Sequence, residues 1–153
     1  MALKGGLVND LGIGMAGKKV TVDDAVEFSG SLVTAKNTGN YGLTGDGGDP
    51  QGLMLDSSVD PVTNWRPEST PVFLTGQAIA KFPMLTGTRW AIPLVSDNAA
   101  ISIGDRIVTA GAGCVDKYAG SGAAWQVGIA MEAININSGT FVIVEIDKRY
   151  ISA

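Results

Sequence analysis

The chain has 153 residues, 45% hydrophobic and 17% charged, with 21 glycines and a formal net charge of −4. That length allows one domain with a real core and leaves little room for two. The acidic balance gives no electrostatic footprint for DNA or RNA, and with no histidine and one cysteine, histidine-based triads and internal disulfides are excluded.

The first stretch, residues 1–19, is rich in glycine with scattered apolar residues and sustains no period of 2 or 3.6. Gly12, Gly14 and Gly17 are spaced as G-x-G-x-x-G, with Lys18 and Lys19 behind them. A dinucleotide loop needs a buried strand before it and a helix after it, whose N-terminal N–H groups hold the pyrophosphate. Here "LKGGLVND" is a poor core strand and "KKVTVD" reads as a strand. The spacing of a P-loop fails as well. The stretch is therefore expected to be an extended N-terminal arm.

From Lys19 onward the texture changes. "KVTV", "AVEF", "SLVTA", "GLML", "PVFLT", "QAIAKF", "WAIPLV", "RIVTA", "WQVGIAM" and "TFVIVEI" are short runs rich in Val, Ile, Thr and aromatics. Between them lie turn clusters such as "KNTGN", "TGDGGDP" and "NINSGT". This spacing predicts an all-β fold, a small barrel of short antiparallel strands over residues 20–148, with a tail at 149–153. Residues 40–70 read as a loop-rich insertion, and "VDDAVEF" has room for a turn or two of helix. An internal echo is also visible. Asp24–Gly30 resembles Asp105–Gly111, Gly52-Leu53-Met54-Leu55 resembles Gly128-Ile129-Ala130-Met131, and Thr-led runs follow from Thr70 and Thr140. Two similar meanders closing one barrel would produce it.

Candidate chemistry is sparse. Cys114 sits in an apolar strand, which suits a buried, inert thiol. Asp46 and Asp49 lie on a glycine loop without the calcium-loop spacing. Asp23 and Asp24 are adjacent and diverge on an extended chain, and Asp56-Ser57-Ser58 lacks the glycine of an aspartic-protease turn. Trp65, Trp90 and Trp125 are spread as core or interface anchors are. No catalytic residue, metal ligand or cofactor site is expected. No basic-then-apolar leader and no run of roughly 18 apolar residues appears, so a soluble protein made in a cytoplasm is expected, with no membrane contact.

Residues 72–146 carry a recognisable order of events. A strand ending in "GQAIAKFP" leads to Gly104-Asp105, Ile107-Val108, Cys114-Val115, Val127-Gly128-Ile129-Ala130, and a final strand from Val142 to Ile146. This order resembles the head-decoration (cement) proteins of tailed bacteriophages, which have a β-barrel or β-tulip core. The resemblance implies a non-enzymatic virion structural protein on the outer capsid surface. Its partners would be the major capsid protein and itself, as a homo-oligomer, by analogy a trimer. Under that reading the arm lies over neighbouring shell subunits, with Leu3, Leu7, Val8, Leu11 and Ile13 filling pockets. Lys18 and Lys19 steer it onto an acidic surface or keep it soluble, and Trp65 and Trp90 form an aromatic rim. From the residues themselves, Gly104-Asp105 is expected to make a carboxylate-capped turn and Gly128 to mark a bulge or a close backbone approach. Val142, Val144 and Ile146 should face the core, with Phe141 and Ile143 meeting another sheet or a neighbouring subunit. The competing reading is a carbohydrate-binding or tail-associated adhesion module using Trp65, Trp90 and Tyr41.

Overall fold

The computed structural model describes residues 6–9, 16–24, 26, 28–55 and 76–153. Every regular element among them is a strand. In chain order they are β1 (Gly6–Asn9), β2 (Ala16–Val22), β3 (Leu32–Ala35), β4 (Tyr41–Leu43), β5 (Gly52–Leu55) and β6 (Gly76–Phe82). Then come β7 (Arg89–Pro93), β8 (Arg106–Gly111), β9 (Cys114–Lys117), β10 (Ala124–Ala130) and β11 (Phe141–Ile151). The chain is all-β, as its short β-branched runs require. The described residues of "VDDAVEF" show bends and a bridge at Val26, not a helical turn.

Strands β2 to β6 close a barrel in the order β2-β4-β3-β5-β6, and the rest form a six-stranded sheet in the order β1-β7-β11-β10-β8-β9. That sheet curls until Leu94, just past β7, makes a parallel bridge to Val115 of β9. The single barrel expected from two meanders is therefore two curled units, each built from five consecutive strands. Their ladders repeat residue for residue. Val33–Leu43, Thr34–Gly42 and Ala35–Tyr41 join β3 to β4; Ile107–Lys117, Val108–Asp116 and Thr109–Val115 join β8 to β9. Lys18–Ala80 and Lys19–Ile79 join β2 to β6, and Trp90–Val144 and Ala91–Ile143 join β7 to β11. Even the turn before the second strand recurs. Gly30 donates to the Met54 carbonyl (2.7 Å) and Met54 to that of Ser31 (2.9 Å), while Gly104 donates to Ala130 (2.9 Å) and Ala130 to Asp105 (2.9 Å). Both turn glycines have positive φ, 85° and 92°. The echo of Gly52–Leu55 in Gly128–Met131 has the right register, whereas Asp24–Gly30 does not answer Asp105–Gly111. The true counterpart of β8 is β3, and no side-chain pattern strong enough to mark it survives in the sequence.

The larger core joins both units. Trp90, Ile92, Ile107, Val115, Val127, Val142, Val144 and Ile146 come from the sheet, and Leu32 and Leu53 from the barrel. Val33 and Met54, the next residues along the same strands, enter a second cluster with Val20, Val22 and Val26. Strands β3 and β5 are thus buried on both faces, which is why "SLV" and "GLML" read as continuous apolar runs. In β11 the expected alternation holds: Val142, Val144 and Ile146 are buried, and Phe141 turns outward onto Phe28 of the barrel unit, ring centroids 5.2 Å apart and edge-on.

Two boundaries move. Residues 16–19 belong to β2, which is laddered to β6 from Ala16, and residues 149–151 belong to β11, where they face Ala124–Gln126. Of the expected insertion over 40–70, residues 41–55 hold β4, β5 and the loop that joins the units, and the remainder lies outside the described residues. That loop is fastened on both sides. Asp46 bridges Ala110, the Thr109 hydroxyl donates to the Gly48 carbonyl (3.1 Å), and Asp49 pairs with Lys148 (2.6 Å).

Candidate partner-binding surface

The N-terminal strip is woven into both units. β1 runs antiparallel to β7, with Gly6 opposite Ala91, Leu7 opposite Trp90 and Asn9 opposite Arg89. Beyond the Leu94–Val115 bridge, β9 leaves this margin of β7 unpaired, and β1 satisfies backbone groups that would otherwise be an open edge. Leu7 and Val8 are therefore on β1, and Lys18 and Lys19 on β2. Leu3, Leu11, Ile13 and Trp65 lie outside the described residues. The described pieces of the strip, residues 6–9 and 16–19, are strands of the chain's own sheets, and the rest of the expected arm lies outside the described residues.

Trp90 cannot be a rim aromatic. It is fully buried at the centre of the larger core, because β7 is flanked by β1 and β11 and its even-numbered positions face inward with Ile92 and Leu94. Tyr41 packs on Phe82, ring centroids 5.2 Å apart, inside the barrel unit. The platform of Trp65, Trp90 and Tyr41 is thus not assembled by the described residues.

The aromatic pair that does reach the surface is another one. Trp125 and Tyr150 face each other across β10 and β11 with ring centroids 5.3 Å apart, and Tyr150 is 57% exposed. Lys148 Nζ lies 5.0 Å from the Trp125 ring centroid and 2.6 Å from Asp49 Oδ1. A cation over an indole face and a neighbouring carboxylate give this shelf both apolar and hydrogen-bonding character. Only the β10–β11 register places Trp125 beside Tyr150, so their distance along the chain hides the pair.

The carboxylates do structural work. Asp105 accepts the Ser102 N–H (2.7 Å) and pairs with Lys117 (2.9 Å). Those two contacts hold its pKa below the ordinary aspartate value, the backbone N–H contributing most. Asp24 is lowered likewise, first by Lys36 (2.9 Å) and then by the Leu43 N–H (2.9 Å). Burial pushes the Cys114 thiol up, which suits an inert side chain. A cleft of about 370 Å³ opens beside Asp46, Asp97, Asp116, Lys117 and Tyr118. Several of its polar groups are already used: Asp116 accepts the N–H groups of Ala99 and Lys117, and the Tyr118 hydroxyl donates to Gly122. Among the described residues no cluster of His, Cys, Asp and Glu is arranged to hold a metal ion, and no helix is long and apolar enough to cross a membrane.

No family model matches the chain, and no curated protein matches it. The geometry must carry the functional reading.

Proposed function

We propose that this chain is a non-enzymatic capsid decoration protein, which binds the outer surface of a phage head and clamps adjacent major capsid subunits. The observation that carries the reading is the place of the N-terminal strip. Gly6–Asn9 is the outermost strand of the six-stranded sheet, so an extended segment is held at a sheet margin, where a partner strand adds most readily. The stretch that resembles cement proteins supports it further: Gly104-Asp105 and Gly128 both sit in the second unit, in the turn and the bulge that shape it. Stabilisation would come from area burial and strand addition across shell joints, opposing outward pressure from packaged DNA without touching it. The acidic net charge suits a protein that avoids nucleic acid. By the same resemblance it assembles as a trimer on the shell.

Electron microscopy of purified heads with and without the chain tests this. Added density on the outer surface, lost when residues 1–9 are removed and the remaining fold is intact, is the expected result. Heads that bind no chain at any stage of maturation would end the proposal.

The exposed Trp125–Tyr150 pair favours a second reading, a carbohydrate-binding module, since sugar rings stack on such faces. Glycan binding that survives removal of residues 1–9 and disappears in Trp125→Ala would favour it over the first.

A further inference from the structure

The repeated ladder lets the two units be compared place by place, and one place is filled in the first and hollow in the second. The pairs Thr34–Gly42 and Val108–Asp116 correspond, so Lys36 answers to Ala110 and Leu43 to Lys117. In the first unit the Lys36 side chain lies across Gly42. A Cβ added there would run into Lys36 Cε and stand 2.5 Å from Nζ. The ammonium rests on Asp24 Oδ2 (2.9 Å), and the same oxygen accepts the Leu43 N–H (2.9 Å). In the second unit a carboxylate again takes that N–H, because Asp116 Oδ1 accepts from Lys117 (2.7 Å) as well as from Ala99 (3.0 Å). The cation is what differs. Ala110 stands where Lys36 would supply it, and the cleft of about 370 Å³ is lined by Ala110 and Asp116 together.

The lining of this cleft lies wholly among the described residues, and it suits the missing group. Val95, Val108 and Ala124 offer apolar walls to a methylene stem, and Asp46 and Asp97 add carboxylates to that of Asp116. Lys117, the lysine in the lining, already pairs with Asp105 (2.9 Å). A carboxylate has about four acceptor places, so the two N–H groups on Asp116 leave room for an ammonium.

We propose that this cleft receives the side chain of a lysine from another protein chain, its ammonium on Asp116 and its stem along Val108 and Ala124. The incoming residue restores in trans the pair that Lys36 and Asp24 make within the first unit. That pair shows a whole lysine side chain in the place, stem included, and the acidic lining selects for its charge. The inference rests on the repeated ladder and not on shell binding, so either can fail alone.

The test is a titration of the isotope-labelled full chain, followed by amide shifts. The probes are the capped tripeptide Gly-Lys-Gly and its counterpart acetylated on the lysine Nζ, which keeps the stem and removes the charge. The lysine peptide should shift the amides of Ala110, Asp116, Lys117 and Ala124, and bind at least about tenfold more tightly than the acetylated one. Asp116→Asn keeps an acceptor for the two N–H groups, removes the charge, and should weaken binding at least about tenfold. Ala110→Lys gives the second unit the lysine of the first at a half-buried place, fills the cleft from within, and should abolish the response to the peptide. Should Asp116→Asn unfold the chain, Ala110→Lys carries the test. Equal binding of the two peptides overturns the proposal, as does Ala110→Lys responding like the parent. So does the absence of any shift at those four amides up to about 20 mM lysine peptide.

Discussion

Replacing Gly128 by alanine should be among the most damaging single-methyl changes in this protein. Gly128 lies in the middle of β10, opposite Ile146 on one side and Ile107 on the other, with a register shift on both sides between Gln126 and Gly128. A Cβ there would run into the Glu145 carbonyl oxygen and would stand 2.7 Å from Val144 Cγ1. Glu145 cannot retreat cheaply, because it is paired with Ile129 on one side and Arg89 on the other. Forcing a methyl into a packed site costs about 1–3 kcal/mol, and fixed backbone as the obstacle puts this case at the upper end. At about 2–4 °C per kcal/mol for a chain of this size, the melting temperature should fall by roughly 6–12 °C. The assay is urea and thermal unfolding followed by circular dichroism, with Gly104→Ala as control. Gly104 has φ 92° and nothing within 4 Å of an added Cβ, so its cost is backbone strain alone, about 1–2 kcal/mol. If Gly128→Ala unfolds within 0.5 kcal/mol of the parent, the steric reasoning is wrong; ~0.5 kcal/mol is what an ordinary surface change gives.

The ladder-equivalent Gly52 should be more forgiving. Its added Cβ would meet the Phe82 ring, a side chain able to turn aside, so Gly52→Ala should cost less than Gly128→Ala in the same assay. Asp24 and Asp105 have lowered folded pKa values, so their stabilisation is complete above the unfolded aspartate pKa and is lost as pH falls through the folded values. Unfolding free energy should therefore drop with pH below about 4, and Asp105→Asn should flatten part of that slope. The Asp49–Lys148 pair is partly exposed on both sides, so a double-mutant cycle with Asp49→Asn and Lys148→Met should give a coupling of about 0.2–1 kcal/mol. Because burial raises the Cys114 pKa, a thiol reagent at neutral pH should label it far more slowly than free cysteine; labelling at the free rate would contradict the burial.

Much of the local structure was legible in the residues. Alternation along "TFVIVEI" assigned Val142, Val144 and Ile146 to the core because a pleated strand has a period of two wherever one face is buried. Gly104-Asp105 announced a capped turn, since few other pairs combine positive φ with a carboxylate in reach of the Ser102 N–H. Gly128 announced a close approach because an interior strand glycine rarely has another reason. The glycines of the N-terminal strip excluded a phosphate loop through their neighbours: β2, a strand, follows where a helix was needed.

What the linear order could not supply was pairing between distant segments. The duplicated ladder became visible once β3 was matched to β8 and β5 to β10, because hydrogen-bond register is carried by the backbone and leaves no mark on residue type. For the same reason Trp90 looked like a rim aromatic until β1 and β11 closed around it, and Trp125 and Tyr150 looked unrelated until β10 met β11. Side-chain chemistry and strand period are local properties, determined by the sequence over a few residues. Which strand lies beside which, and hence which margins remain open, depends on contacts that only the folded chain brings together.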